Sequence, residues 1–346
     1  MWGIIGQQRA VMALAAAVRL GQTSHAYLFV GPRGVGKHTL AKRLAQALNC
    51  LAPPEGRPCR ECRQCRRIEE GIHADVQEVT VEAGRREVRI GQVRELERAL
   101  ALKPYEGRVR VAIIDPADAM NQEAQNAFLK TLEEPPPDVV LALVTAREEA
   151  LLPTIRSRCQ RLALGRVPLS DLVAALTERG VPPETARYLA RLAQGRPGVA
   201  ITLARDEALR ERWERELERA ARLPGLDLRE RLALAEELAQ SYSLRQGTAG
   251  EENGQGSSPG ADEVSLALEM WQAWWRDVLL VQQGAPEAVL HSHRRQELER
   301  LARSVPPEEV VRFLSSLGTT RRYLEENVNA RLALEVLLLE APGEPR

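Results

Sequence analysis

Lysine is nearly missing from this sequence. Its 346 residues contain only Lys37, Lys42, Lys103 and Lys130, so arginine carries almost all the positive charge. An arginine cluster in such a chain is weak evidence for any ligand, because the bias runs along its whole length. Net charge is absent too, since 48 basic and 48 acidic residues cancel. No global field draws the chain to nucleic acid or membrane, and such binding has to come from local patches or from partners. Long apolar runs are also lacking. RAVMALAAAVRL, the one candidate for a targeting segment, is about half the length of a membrane span. Together with five cysteines, four of them clustered, this suggests a cytoplasmic protein with a metal site instead of a disulfide framework. No internal repeat occurs at solenoid periods.

The length suggests two or three domains. Up to about residue 165 strand and helix signals alternate. AYLFV (26–30), VRVAIID (109–115), VVLALVT (139–145) and CQRLAL (159–164) read as strands; KHTLAKRLAQALN and QEAQNAFLKTLEE read as helices, the second stopped by Pro135, Pro136 and Pro137. Apolar strands separated by helices predict an α/β fold with a parallel sheet covered on both faces. Residues 166–206 carry three short helical patterns, a small helical domain. From 207 to 346 the pattern is amphipathic helix, interrupted at 247–263 by a Gly-, Ser- and Asn-rich stretch that reads as a mobile loop.

FVGPRGVGKHT fits a phosphate loop between a strand and a helix, with Gly31, Gly34, Gly36 and Lys37 as nucleotide-site candidates. The position after the lysine should carry a hydroxyl for Mg²⁺ but holds His38, and Thr39 points about 100° away round the helix. Asp115 stands where an acid would hold the metal through water. Pro116 follows it, where a hydrolysing enzyme needs a base for the attacking water. Asp118 either substitutes for that base or is an ordinary helix N-terminal acid. Together these features suggest a degenerate nucleotide site.

Cys50, Cys59, Cys62 and Cys65 follow the spacing C-x₈-C-x₂-C-x₂-C. Four thiolates on a turn-rich loop suit one tetrahedral structural Zn²⁺, with a redox pair or an iron–sulfur site as alternatives. Arg57, Arg60, Arg63, Arg66 and Arg67 around them either touch DNA phosphates or form a solvated face. Cys159 stands apart and reads as a packed thiol. Trp271, Trp274 and Trp275 share a helix face and form core, a subunit interface or a base-stacking platform.

A phosphate loop, this cysteine knuckle, IIDPADAMNQEAQNAFLKTLEEPP and LLPTIRSRCQ in one order resemble the bacterial clamp-loader subunits of the AAA+ superfamily. The resemblance covers residues 4 to about 205 closely and extends more weakly to the C-terminus. It implies an AAA+ domain over 1–165, a helical lid over 166–206 and an all-helical collar over 207–346. It also implies membership of a five-subunit ring that opens the sliding clamp and places it on primed DNA. Motor subunits of the family, gamma or tau, keep the hydroxyl, an acid pair and a lid arginine where this chain has His38, Asp115–Pro116 and Gly198, with Arg196 beside it. The departures are similar to the delta-prime kind, which keeps the scaffold without the reaction and works beside gamma or tau and delta. Arg158 resembles the arginine finger given to a neighbour's ATP; an ordinary surface salt bridge is the alternative reading. Thr145 occupies the polar sensor position, and Ile4, Ile5 and Gly6 resemble the segment lining an adenine pocket. A divergent motor subunit and a stand-alone DNA-binding zinc module remain the rival readings.

Overall fold

In a computed structural model, residues 2–82, 85, 87–247, 263–325 and 328–343 are described. They form two compact units, 1–201 and 202–346.

The first unit runs α1 (Gln8–Leu20), β1 (Ala26–Val30), α2 (Lys37–Asn49), α3 (Arg63–Glu69), β2 (Val76–Val79), α4 (Ile90–Leu100), β3 (Arg110–Ile114), α5 (Gln122–Glu133), β4 (Val139–Thr145), α6 (Pro153–Arg158) and β5 (Gln160–Ala163). The short helices α7 (Leu169–Thr177) and α8 (Pro183–Leu192) follow, with α9 (Pro197–Arg205) running across the boundary between the units. The sheet is parallel, in the order β2-β3-β4-β1-β5. Every residue of β1, β3 and β4 is buried, which explains why these strands are continuous apolar runs. Their alternate side chains divide between two cores. Tyr27, Phe29, Val111, Ile113, Ala142 and Val144 face α1 and α2, whereas Leu28, Ala112, Ile114, Leu141 and Leu143 join Leu96 of α4 and Phe128 of α5.

The predicted strands are all present, but β2 is an addition. VQEV is a half-exposed edge strand whose two central residues are polar, so it lacks the apolar run that marks β1, β3 and β4. α5 ends at Glu133, before the prolines as expected, and starts at Asn121, whose side chain accepts the Ala124 N–H at 2.9 Å.

The second unit is helical: α10 (Glu207–Arg222), α11 (Leu228–Gly247), α12 (Glu263–Gln282), α13 (Arg295–Ser304), α14 (Pro307–Glu325) and α15 (Ala330–Leu339). α12 packs against α10, α11, α13 and α14. Trp271, Trp274 and Trp275 on α12 are wholly buried, and Trp275 meets Phe313 edge-on at 5.8 Å. They are core and offer no face to a base. Most of the loop expected at 247–263, residues 248–262, lies outside the described residues. Among the described residues, no helix is long and apolar enough to cross a membrane.

Candidate functional site

The phosphate loop leaves the carboxyl end of β1 and runs into the N-terminus of α2, with Gly31, Gly34 and Gly36 at φ +154°, +80° and +99°. Backbone of that shape, ending at a helix N-terminus, is an anion cradle in form. Its lysine is engaged within the chain: the buried Lys37 Nζ donates to Gly31 O at 2.7 Å and Pro32 O at 2.8 Å. Burial pulls its ammonium pKa down, against the opposing charges of Asp115 and Asp118.

The metal side of the site is occupied by an ion pair. His38 Nε2 lies 3.1 Å from Glu78 Oε2 on β2, and Lys42 lies 3.9 Å from the same carboxylate. The hydrogen bond to the Glu78 carboxylate raises the His38 pKa, against burial, and His38 in turn lowers that of Glu78. Asp115 is at the end of β3, its carboxyl pKa raised by burial despite His38 and Lys37 nearby. The Nε2 of His38 is turned to Glu78, and a hard Mg²⁺ prefers oxygen to nitrogen in any case. β2 supplies Glu78, a partner that the missed strand kept out of the sequence reading.

Asp118 follows its reading as a helix N-terminal acid, and its carboxylate is engaged within the chain. It sits in the one-turn 3-10 helix Ala117–Ala119 and accepts from Thr145 Oγ1 at 2.7 Å and Arg147 Nε at 3.3 Å. Its carboxylate ties the ends of β3 and β4 together. Thr145, fully buried, therefore spends its hydroxyl on Asp118, and its sensor-like position is structural in this chain.

The start of α9 touches the loop through backbone. Gly198 N donates to Gly34 O at 2.8 Å, where the resemblance expects an arginine near phosphate. A Cβ on Gly34 would lie 2.9 Å from Val199 Cγ2. Arg196 turns back to Ala193 O at 2.9 Å. On the other side, a Cβ on Gly6 would lie 2.8 Å from Val167 Cγ2, so the N-terminal segment is pressed against the stretch before α7, with Ile4 packed on the core.

The four cysteines converge. All four sulfurs lie within 4.8 Å of one another, and Cys59 Sγ is 4.0 Å from Cys65 Sγ. A tetrahedral site with Zn–S near 2.3 Å places sulfurs about 3.8 Å apart, so the cluster has metal-binding dimensions. The Cys59 N–H points at Cys50 Sγ (3.4 Å) and the Cys62 N–H at Cys59 Sγ (3.3 Å), an arrangement that favours thiolates. Burial raises the Cys50 and Cys65 pKa values. At Cys59 it is outweighed by backbone donors at Glu61 and Cys62 and by neighbouring thiols, which bring the pKa to about 6. Cys159 is outside the group, its thiol pushed up to about 12 by burial.

Sequence reasoning missed the scaffold behind the knuckle. The buried Asp75 carboxylate accepts from the backbone N–H groups of Tyr105, Glu106 and Gly107 at 2.7, 2.8 and 2.7 Å, and Asn49 holds Arg108 and Val109. Burial raises the Asp75 pKa, but these donors and Arg110 prevail and leave it low. The loop so fixed presents Glu106 to Arg67 (3.2 Å) and Arg63 (3.8 Å), while Arg57 donates to Ala52 O. Three of the five knuckle arginines thus have partners within the chain, which weakens the DNA-phosphate reading.

Arg158 ends α6. Its Nη2 is 2.7 Å from Glu133 Oε1 and its Nη1 donates to Thr154 O at 3.0 Å. It is remote from its own phosphate loop in sequence, and none of the residues around Lys37 is among its partners.

Comparison with known proteins gives a consistent set of relatives. A family model described as DNA polymerase III, delta subunit, matches residues 6–168, and one described as DNA polymerase III, delta subunit, C terminal, matches residues 227–341. The tau subunit of DNA polymerase III from Escherichia coli K12 is 32% identical over 98% of this chain and 53% of its own length. The delta' subunit from Pseudomonas aeruginosa is 36% identical over 64% of this chain and 66% of its own length; that from Bacillus subtilis is 29% identical over 96% and 95%. The chain thus spans about half the length of the tau relatives it matches.

Proposed function

The chain belongs to the AAA+ clamp-loader family of DNA polymerase III subunits, and from that premise we propose that it is a delta-prime-type clamp-loader subunit that hydrolyses no ATP itself. In this reading it works in the cytoplasm, in a hetero-oligomer with gamma or tau and delta, as the rigid member of a ring that loads the sliding clamp onto primed DNA.

The observation that carries the proposal is the end of β3. Pro116 follows Asp115, and Asp118 is committed to Thr145 and Arg147, so neither position supplies the base that an attacking water needs. His38, paired with Glu78, supports the same conclusion on the metal side. Gly31, Gly34, Gly36, Lys37 and Asp115 would then form a degenerate nucleotide site, with the 166–206 helices resting on it as a lid. Cys50, Cys59, Cys62 and Cys65 would hold one structural Zn²⁺, all four positions filled by protein and none open for water. The C-terminal helices would form the collar. α15 leaves Leu332, Val336 and Leu339 about half exposed at positions i, i+4 and i+7, a single apolar face suited to a neighbouring subunit.

Arg158 would act in trans, its guanidinium stabilising the charge that spreads over a neighbour's transferring phosphoryl group. Such an arginine is worth about 10³–10⁵ in rate where it serves a single site. The test is ATP turnover by the chain alone and by the reconstituted loader containing wild type or Arg158→Ala. We expect no Mg²⁺-dependent turnover by the isolated chain, normal assembly of both loaders, and at least a tenfold fall with the variant. Motor-like rates from the isolated chain would sink the reading in favour of a divergent motor subunit.

A further inference from the structure

Arg158 is held from two sides within its own chain. Thr154 O, one turn back on α6, takes Nη1, and Glu133 Oε1, at the last position of α5, takes Nη2. Glu133 is itself well placed to be a fixed point. α5 is capped at one end by Asn121 and cannot continue through Pro135, Pro136 and Pro137 at the other.

An unanchored arginine samples many rotamers, and ordering it takes back part of what a phosphate contact gains. The two anchors remove that disorder beforehand while engaging only part of the guanidinium fork. Arg161, close by in sequence, differs: its Nε and Nη2 form a two-point pair with Glu148, at 2.7 and 2.9 Å. The Glu133–Arg158 pair is half exposed and hence weak, so a multiply charged phosphate can share the guanidinium with the carboxylate.

We propose that Glu133 is the positioning residue for Arg158, aiming its guanidinium at the phosphates of the nucleotide bound by the adjoining subunit. This rests on the trans-acting reading of Arg158 given above. The experiment is a double-mutant cycle on the reconstituted loader, measuring kcat and KM for ATP with Glu133→Ala, Glu133→Gln, Arg158→Ala and the Glu133→Ala/Arg158→Ala pair. Glu133→Ala should lower kcat about 5-fold, the most an exposed pair usually supports, with little change in KM, in assembly or in the melting temperature of the chain. Glu133→Gln, which keeps an oxygen acceptor for Nη2, should recover most of that loss. In the Arg158→Ala background Glu133→Ala should add nothing. An unchanged or higher kcat with Glu133→Ala overturns the inference, and so does an equal further loss in the Arg158→Ala background. If Arg158→Ala leaves turnover intact, the trans-acting reading itself fails, a result separable from failure of the Glu133 assignment alone.

Discussion

If the phosphate loop is kept for shape, replacing its glycines should cost stability with no nucleotide present, and the cost should follow what each glycine faces. A Cβ on Gly31 would fall 2.1 Å from the backbone carbonyl oxygen of Leu164. That carbonyl cannot swing away cheaply, because the Leu164 N–H is bonded to Val30 O at 2.7 Å just beyond β5, while Gly31 N reaches Thr145 O at 3.3 Å. Overpacking against backbone costs about 1–3 kcal/mol. Holding a residue with a side chain at φ +154° adds a strain of about 1–3 kcal/mol. Gly31→Ala should therefore cost about 2–6 kcal/mol. Gly36 faces open space, so Gly36→Ala should show only the conformational cost of its positive φ, about 1–2 kcal/mol. Gly34 should fall between them, because its obstacle is a Val199 methyl that can yield. Urea unfolding of the isolated, nucleotide-free chain, followed by circular dichroism, gives the ranking directly. A Gly31→Ala variant within about 0.5 kcal/mol of wild type, or a Gly36→Ala loss larger than that of Gly31→Ala, would refute the reasoning.

Metal analysis of freshly purified, reduced protein should return one zinc per chain, retained in Cys159→Ala and lost in Cys62→Ala; a value near zero in the wild type removes the zinc assignment. Asp75, whose folded-state pKa is depressed, contributes stability that is present above its unfolded pKa near 4 and lost as pH falls through its lower folded value. Asp75→Asn should then cost about 3 kcal/mol at pH 7 and less as the pH drops below 4, whereas a gap constant from pH 7 to 3 would contradict this account. Val336→Asp, at a half-exposed position, should leave the melting temperature of the chain unchanged but weaken assembly of the loader; normal co-elution with the partner subunits would show that this face is not the seat.

What the sequence made legible follows burial and spacing. β1, β3 and β4 are buried on both faces and announce themselves as apolar runs, and the cysteine spacing foretold the cysteine cluster because its four members lie close in the chain. β2 was unreadable for the opposite reason, since an exposed edge strand of four residues with two polar ones has no period to detect. The partners that set the chemistry were hidden as well. Glu78 pairs with His38 forty positions away, Thr145 with Asp118 across 27, and Asp75 holds a loop 30 positions on. One local signal was available for the last of these: HAD, whose two polar residues, His73 and Asp75, stand directly before β2 and are both buried.

The loop glycines show why a motif can be read correctly and still mislead about chemistry. Of the three, Gly31 is required by a strand end and Gly34 by the start of α9; only Gly36 faces open space. Two of the letters that spell a nucleotide site are thus demanded by packing alone, and their presence does not discriminate a working site from a lapsed one. The discriminating positions are those whose side chains would have to meet metal or water. There the chain has an imidazole paired to Glu78 and a proline, and neither can be exchanged for function alone. His38→Thr would restore the hydroxyl but leave Glu78 with only Lys42 at 3.9 Å, and Pro116→Glu would introduce a third acid beside Asp115 and Asp118, where burial already holds the Asp115 pKa up. On the proposed reading of a lapsed site, hydrolysis would therefore take a coordinated change across β2, α2 and β3, and neither single replacement should produce turnover in the isolated chain.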